Sequence, residues 1–320
     1  PRESGTIGGI STEVYTLSSN QLDLPIFKFQ KSIGGISRAF EIVPSTINDS
    51  DSIYESDPVP GTGLTYTYRS DGAGDSSNNT GFFFQFKQGT LQQIDFNVDT
   101  AVTNYVKSLN VSNINDTDVW LYKIDQFGQI SERWSKVPSL SGNNAIYNSL
   151  SKSERNTYNV VTKNEDAIDL VFGDGNFSNL PLGNFRTYHR VSDNAKYAIQ
   201  SGDMQNVQLV VPYVDANGAQ QTLSMSISLQ ASVYNAAATE SNDTIKEKAS
   251  QVYYSQNRMI TAEDYQVVPL SASQEIVKVR SVNRSASGIS RAKEILDPTG
   301  AYSNVSTFAE DGILYREEST

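Results

Sequence analysis

The 320-residue chain has no cysteine and a single histidine, His189. Without thiols there is no disulfide framework, thiolate zinc site, iron–sulfur cluster or cysteine nucleophile. One imidazole cannot build a multi-histidine metal site or an H-E-x-x-H helix. The expectation is therefore no cofactor, no metal and no enzymatic activity. Long apolar runs are missing too, so no transmembrane helix is expected, and no N-terminal signal pattern is visible. Positive charge is scarce: 25 Lys and Arg against 36 Asp and Glu leave a net charge of −11. Nucleic acid and anionic membranes are poor partners for such a chain, because binding them rests on neutralising phosphates. The chain opens at Pro1 without an initiator Met and reads as a fragment of a longer protein.

Polar uncharged residues fill the space that charge leaves, with 41 Ser and 26 Asn. Both are weak helix formers, so this surface suits strands better than helices. The fold class expected is α+β, a mostly antiparallel β-rich body with a small C-terminal α/β module. Three parts are expected: a β-rich region over 1–155, a β domain over 156–236, and the α/β module over 237–320.

The pattern along the chain carries this division. Leu64–Tyr68 alternates apolar residues with Thr, and a Ser/Asp/Gly/Asn loop follows over 70–81. Phe82–Phe86 and Leu91–Val98 read as two strands joined by a turn at Lys87-Gln88-Gly89. Val119–Ile124 and Ile130–Val137 flank Asp125-Gln126-Phe127-Gly128 as a hairpin, with Trp120 and Trp134 on its arms. A polar or helical piece is expected over 145–153, then strands at Thr157–Thr162 and Ile168–Phe172. Met204–Val214, the turn Asp215-Ala216-Asn217-Gly218, and Gln221–Tyr234 form the clearest hairpin. There Leu223, Met225, Ile227, Leu229, Ala231 and Val233 occupy every second position, which predicts one buried and one wetted face. Beyond Ala236 the period changes. Ile245, Ala249, Val252 and Tyr253 share a helical stripe over 243–254, and Thr261 with Asp264 reads as a variant capping box opening a second helix. Pro269 is expected to end or kink that helix, and Glu275–Val282 alternates as a strand.

Gly173-Asp174-Gly175, directly after Ile168–Phe172, is the most distinctive local string. Glycine on both sides of Asp allows positive φ at each, so the string is expected to be a structural turn. It lacks the calcium-loop ladder of acids and any phosphate-binding glycine pattern. Asp71-Gly72-Ala73-Gly74-Asp75 offers two carboxylates and reads as a solvated loop. His189 has no nucleophile motif near it and is expected to be a surface or strand histidine. Lys278, Arg280, Arg284, Arg291 and Lys293 form a basic stretch, either a contact for an acidic partner or nucleic acid or a solvated strand and loop. The helical stripe ends in Val252, Tyr253 and Tyr254, the candidate interface of an expected homodimer.

From Thr157 onward the chain carries, in order, Val171-Phe172-Gly173-Asp174-Gly175, Pro181-Leu182-Gly183, the strand around Asn206-Val207, Arg258-Met259-Ile260-Thr261-Ala262-Glu263-Asp264-Tyr265, and Ile276-Val277-Lys278-Val279. This order of motifs resembles the baseplate J family of contractile phage tails and related injection machines. Residues 1–150 carry no motif of that family. The resemblance implies a structural virion protein of the tail baseplate, assembled in the host cytoplasm. It would form the inner wedge ring around the hub and bind copies of itself and other baseplate wedge subunits. It would also take part in the switch that triggers sheath contraction. The run Asp264-Tyr265 into Val268-Pro269 departs from the family pattern and is expected to shorten the second helix. Two rival classes are an extracellular β-rich adhesin or carbohydrate-binding module, which needs an exposed aromatic platform, and a carboxylate-dependent hydrolase. The hydrolase needs two carboxylates within about 5–10 Å of each other in a cleft.

Overall fold

The computed structural model describes residues 3–17, 27–47, 53–58, 63–74, 77, 79–140, 155–255, 259–272, 276 and 278–281. It divides into two compact units, Pro1–Thr239 and Glu240–Thr320. The first is a body built almost wholly of strands.

Two hairpins of the same design begin the body. β1 (Glu3–Ile7) returns as β2 (Ile10–Leu17), and β3 (Phe27–Ile33) returns as β4 (Ile36–Val43). Each reverses through Ile-Gly-Gly-Ile with both glycines at positive φ (Gly8 58°, Gly9 80°; Gly34 59°, Gly35 81°). Two successive positive-φ residues match the right-handed twist of the flanking strands, which is why only glycine serves there so readily. A short pair follows, β5 (Ser45–Ile47) with β6 (Ile53–Glu55). Then β7 (Leu64–Ser70) and β8 (Gly81–Phe83) extend the first hairpin into the sheet β1-β2-β7-β8.

β9 (Gln85–Gln88) joins β4 instead, completing β3-β4-β9, and β10 (Thr90–Val98) leaves for a third sheet. The turn expected at Lys87-Gln88-Gly89 falls between β9 and β10, but the two strands it joins do not pair with each other. Between Gly81 and Val98 the aromatic run feeds three sheets in turn, and apolar alternation cannot report which neighbour a strand will choose.

The third sheet has seven strands: β10, β11 (Val106–Leu109), β12 (Ile114–Ile124), β13 (Ile130–Lys136), β14 (Thr157–Thr162), β15 (Ile168–Phe172) and β16 (Gly183–Val191). Their spatial order is β10-β16-β12-β13-β14-β15-β11. Apart from the parallel pair β13–β14, the described ladders of the molecule are antiparallel. The expected boundary at 155/156 does not divide the fold, because β16 lies between β10 and β12. The helical piece expected at 145–153 lies outside the described residues. β17 (Val207–Val214) and β18 (Gln220–Ile227) form the last hairpin. The alternation expected to Tyr234 stops pairing at Ile227; beyond it only Val233 forms a bridge, to Ile199.

Both Asp-x-x-Gly hairpins turn alike. Asp125 Oδ1 accepts from the N–H groups of Phe127 (2.8 Å) and Gln129 (2.9 Å). Asp215 Oδ1 accepts from those of Asn217 and Ala219, both at 2.9 Å. The carboxylate holds the backbone in the turn while glycine takes the positive-φ position.

Two apolar cores result. One lies against the seven-stranded sheet, where Trp134 meets Phe172 and Phe185 edge-on with centroids 5.4 and 5.5 Å away. The other joins Phe29, Phe40 and Ile42 to Leu64, Met204, Leu209 and Val211. In the second unit, α1 (Asn242–Ser255) begins after Ser241, whose Oγ accepts from the N–H of Thr244 at 3.2 Å. α2 (Asp264–Ala272) runs three residues past Pro269, so of the two outcomes expected there, an end or a kink, the helix does not end. Of the strand expected over Glu275–Val282, the described residues Ile276 and 278–281 carry no ladder pairing.

Candidate functional site

The chain after β15 turns through Gly173-Asp174-Gly175, and the two glycines are needed for different reasons. Gly175 has φ 85°, a region in which an L side chain is strained. Gly173 does not have positive φ, contrary to expectation. A Cβ there would lie 1.6 Å from Ser178 Oγ, so it is glycine for want of space. Asp174 Oδ1 accepts from the N–H of Asn176 at 2.9 Å and of Phe177 at 3.3 Å. Those backbone donors hold its carboxyl below the ordinary 3.8. Arg155 Nη2 donates to the carbonyls of Gly175 (3.0 Å) and Asn176. The carboxylate is spent on its own loop.

The other sequence candidates do not converge on this turn. Asp71 accepts from Ala73 N–H (2.9 Å), Thr80 Oγ1 (2.9 Å) and Ser77 Oγ, while Asp75 lies outside the described residues. Tyr253 on α1 is 75% exposed, and the side chains of Val252 and Tyr254 lie outside the described residues. Lys278 and Arg280 are exposed; Arg284, Arg291 and Lys293 are not among the described residues. His189 is a strand histidine but not a surface one. It is fully buried on β16 between Gln92 of β10 and Val119 of β12, and neither ring nitrogen has a hydrogen-bond partner among the described residues.

Sequence reasoning missed the strongest electrostatic feature. Arg190, 3% exposed, reaches Glu55 Oε1 at 2.9 Å, Asp118 Oδ2 at 2.6 Å and Glu41 Oε2 at 3.5 Å. Lys87 Nζ joins Glu55 and Asp118, both at 2.6 Å. Five charges from β4, β6, β9, β12 and β16 thus share one site, four of them buried and Lys87 partly open to solvent. Burial pushes the Glu41 carboxyl above 4.5, although both its oxygens accept from Leu91 N–H at 3.0 Å. Burial acts the same way on Asp118, but Lys87 and Arg190 outweigh it and hold that carboxyl below 3.8. Three acids share Arg190 and Lys87, and Lys28 Nζ adds a third cation 3.7 Å from Glu41 Oε1, which is an arrangement for joining strands rather than for moving a proton. No local signal marks it, since Glu41 and Arg190 stand far apart in the chain.

A cleft of about 770 Å³ opens between β8 and β18, over the second core. Tyr66 stacks on Tyr15 at 5.5 Å and meets Phe82 edge-on at 5.7 Å, and Phe82 is 66% exposed. Ser226, Ser228 and Gln230 supply the polar side chains, and no acid lines the cleft. A smaller concavity of about 210 Å³ holds a single acid, Asp57, paired with Arg133 at 2.7 Å. Neither concavity offers the two carboxylates that a hydrolase of the rival class would need. No group of three or more His, Asp or Glu that could hold a metal occurs among the described residues, and none of the described helices is long and apolar enough to cross a membrane.

These features define a strand-built protein with an internally neutralised ion cluster and one aromatic cleft. Residues 1–232 match the family described as Domain of unknown function (DUF8360), and the chain belongs to that family. No curated protein matches it.

Proposed function

We propose that this chain is a non-enzymatic structural subunit of a contractile-tail baseplate, located in the virion and most like the C-terminal part of the T-even baseplate wedge subunit. It works by pairing with itself and with neighbouring wedge subunits in the ring around the hub, and it takes part in the switch to sheath contraction. The observation that carries this reading is the apolar surface of the helical unit. Ile245, Tyr253, Met259, Ile260 and Tyr265 are 47%, 75%, 41%, 72% and 49% exposed within 21 residues of sequence. Large apolar side chains gathered this closely mark an interaction surface. The motif behind the resemblance has a physical role here. Thr261 Oγ1 accepts from Asp264 N–H at 3.2 Å, and Asp264 Oδ2 accepts from the N–H groups of Thr261 (2.7 Å) and Ile260 (3.0 Å). That reciprocal cap fixes how the chain enters α2 and so presents Met259 and Ile260. The finer part of the fold class, an α/β module completed by a strand near Ile276, belongs to the same proposal.

Light scattering coupled to size exclusion on the full chain tests it. A dimer or larger ring is expected at tens of micromolar, with an interface of roughly 1,200–2,000 Å² in total. Tyr253→Asp with Ile260→Asp should give monomer with an unchanged near-UV spectrum. A wild-type monomer at that concentration overturns the reading. The cleft aromatics favour a second reading, a carbohydrate-binding module; saturable binding to a glycan array, lost in Phe82→Ala, would select it.

A further inference from the structure

The cleft between β8 and β18 has the size of a built binding site, about 770 Å³ against roughly 300–1,000 Å³ for ligand pockets. Its two walls end in strands with a free edge. Among the described residues, β8 pairs only with β7 and β18 only with β17. Successive residues of a strand point to opposite faces. A cleft that touches consecutive residues therefore runs along the strand's edge, where backbone N–H and C=O groups face outward. Both walls do this: Phe82 and Phe83 line it from β8, and Met225, Ser226 and Ile227 from β18. Such free edges are templates for another strand. Charge narrows the choice of occupant. In a chain of net charge −11, no Asp, Glu, Lys or Arg lines the cleft. A charged occupant would lose its hydration there with no counter-charge to replace it, whereas a neutral one fits.

We propose that this cleft is a strand-addition site. It takes an uncharged, extended peptide segment of a protein partner, with apolar side chains at every second position. The segment's backbone pairs with the free edges of β8 and β18, and its apolar side chains pack on Tyr66, Phe84 and Met225. The site belongs to the body, whereas the self-association proposed above rests on the helices. Either can fail without the other.

The test uses the full chain and a panel of labelled seven-residue peptides with capped ends. Val, Leu or Phe stands at every second position, with Thr or Ser between. Each peptide is also made with N-methylated amides, which removes backbone donors and keeps the side chains. Saturable binding by fluorescence anisotropy is expected for at least one unmethylated peptide, with a loss of about tenfold or more, about 1.4 kcal/mol, on methylation. Hydrogen exchange at 81–84 and 223–227 should slow when that peptide is present. Phe82→Asp, at an exposed position that leaves the core intact, should weaken binding. Equal binding of methylated and unmethylated peptides would make the cleft a site for apolar molecules without strand pairing and overturn the proposal. So would the absence of saturable binding across the panel at millimolar peptide.

Discussion

An imidazole buried between two strands, with no hydrogen-bond partner among the described residues, favours the neutral form. Burial pushes the pKa of His189 below the ordinary 6.5. Below that pH the unfolded chain binds the proton and the folded one resists it, so stability rises with pH there. The contribution of His189 is thus complete above about 6.5 and is lost as pH falls below it. The Tm should drop between pH 7.5 and pH 5, and His189→Leu should flatten that slope; an unaltered slope refutes the assignment. The turn after β15 separates geometry from charge. Gly175→Val forces a β-branched residue to φ 85° against Leu180 and should cost about 1–2 kcal/mol, seen as a lower Tm and weaker assembly. Asp174→Asn keeps the acceptor for Asn176 and Phe177 and should be nearly neutral. The opposite ranking would replace the turn by a ligand role. Gly-Asp-Gly after an alternating run was legible as a turn. The crowding of Gly173 by Ser178 was not, because it depends on how the loop closes, and the burial of His189 depends on strands 97 and 70 residues away.

The strands show the same limit one scale up. Hairpins whose turn chemistry is local were readable: β12–β13 and β17–β18 announce themselves through Asp-x-x-Gly between alternating runs. Ile-Gly-Gly-Ile at 7–10 and again at 33–36 carried the same information for β1–β2 and β3–β4, and it was overlooked. The ladders β10–β16 and β12–β16 have no local turn, so no local pattern announces them. Where such distant strands meet, the Arg190 cluster ties β4, β6, β9, β12 and β16 together. Removing its central cation leaves Glu41, Glu55 and Asp118 buried without their shared partner. Arg190→Met should therefore cost about 3–5 kcal/mol in urea unfolding. Glu41→Gln should cost far less, because burial already disfavours the charge on that carboxyl and an amide oxygen still accepts from Leu91. Equal costs for the two variants would mean that the site acts by packing and not by charge.

At the scale of the molecule, pairing across long stretches of chain decides where the protein can be cut. All the described ladders close within residues 3–239, and the family match over 1–232 lies inside the same unit. A cut at 239/240 severs no ladder, so the chain 1–239 should keep its near-UV spectrum and a cooperative transition. A cut at 155/156 separates β10 and β12 from β16, β13 from β14, and β11 from β15. It also divides the core, parting Trp134 from Phe172 and Phe185. The second core is divided as well, Phe29, Phe40 and Leu64 parting from Met204, Leu209 and Val211, so neither fragment holds the complete seven-stranded sheet or a complete apolar core, and sheets with one face uncovered do not stand alone in water. Residues 1–155 and 156–239 expressed separately should each lack a cooperative transition, while mixing them should restore one by rebuilding the seven-stranded sheet. Two fragments that each unfold cooperatively on their own would show that the body is two domains after all and that β16 gains nothing from lying between β10 and β12.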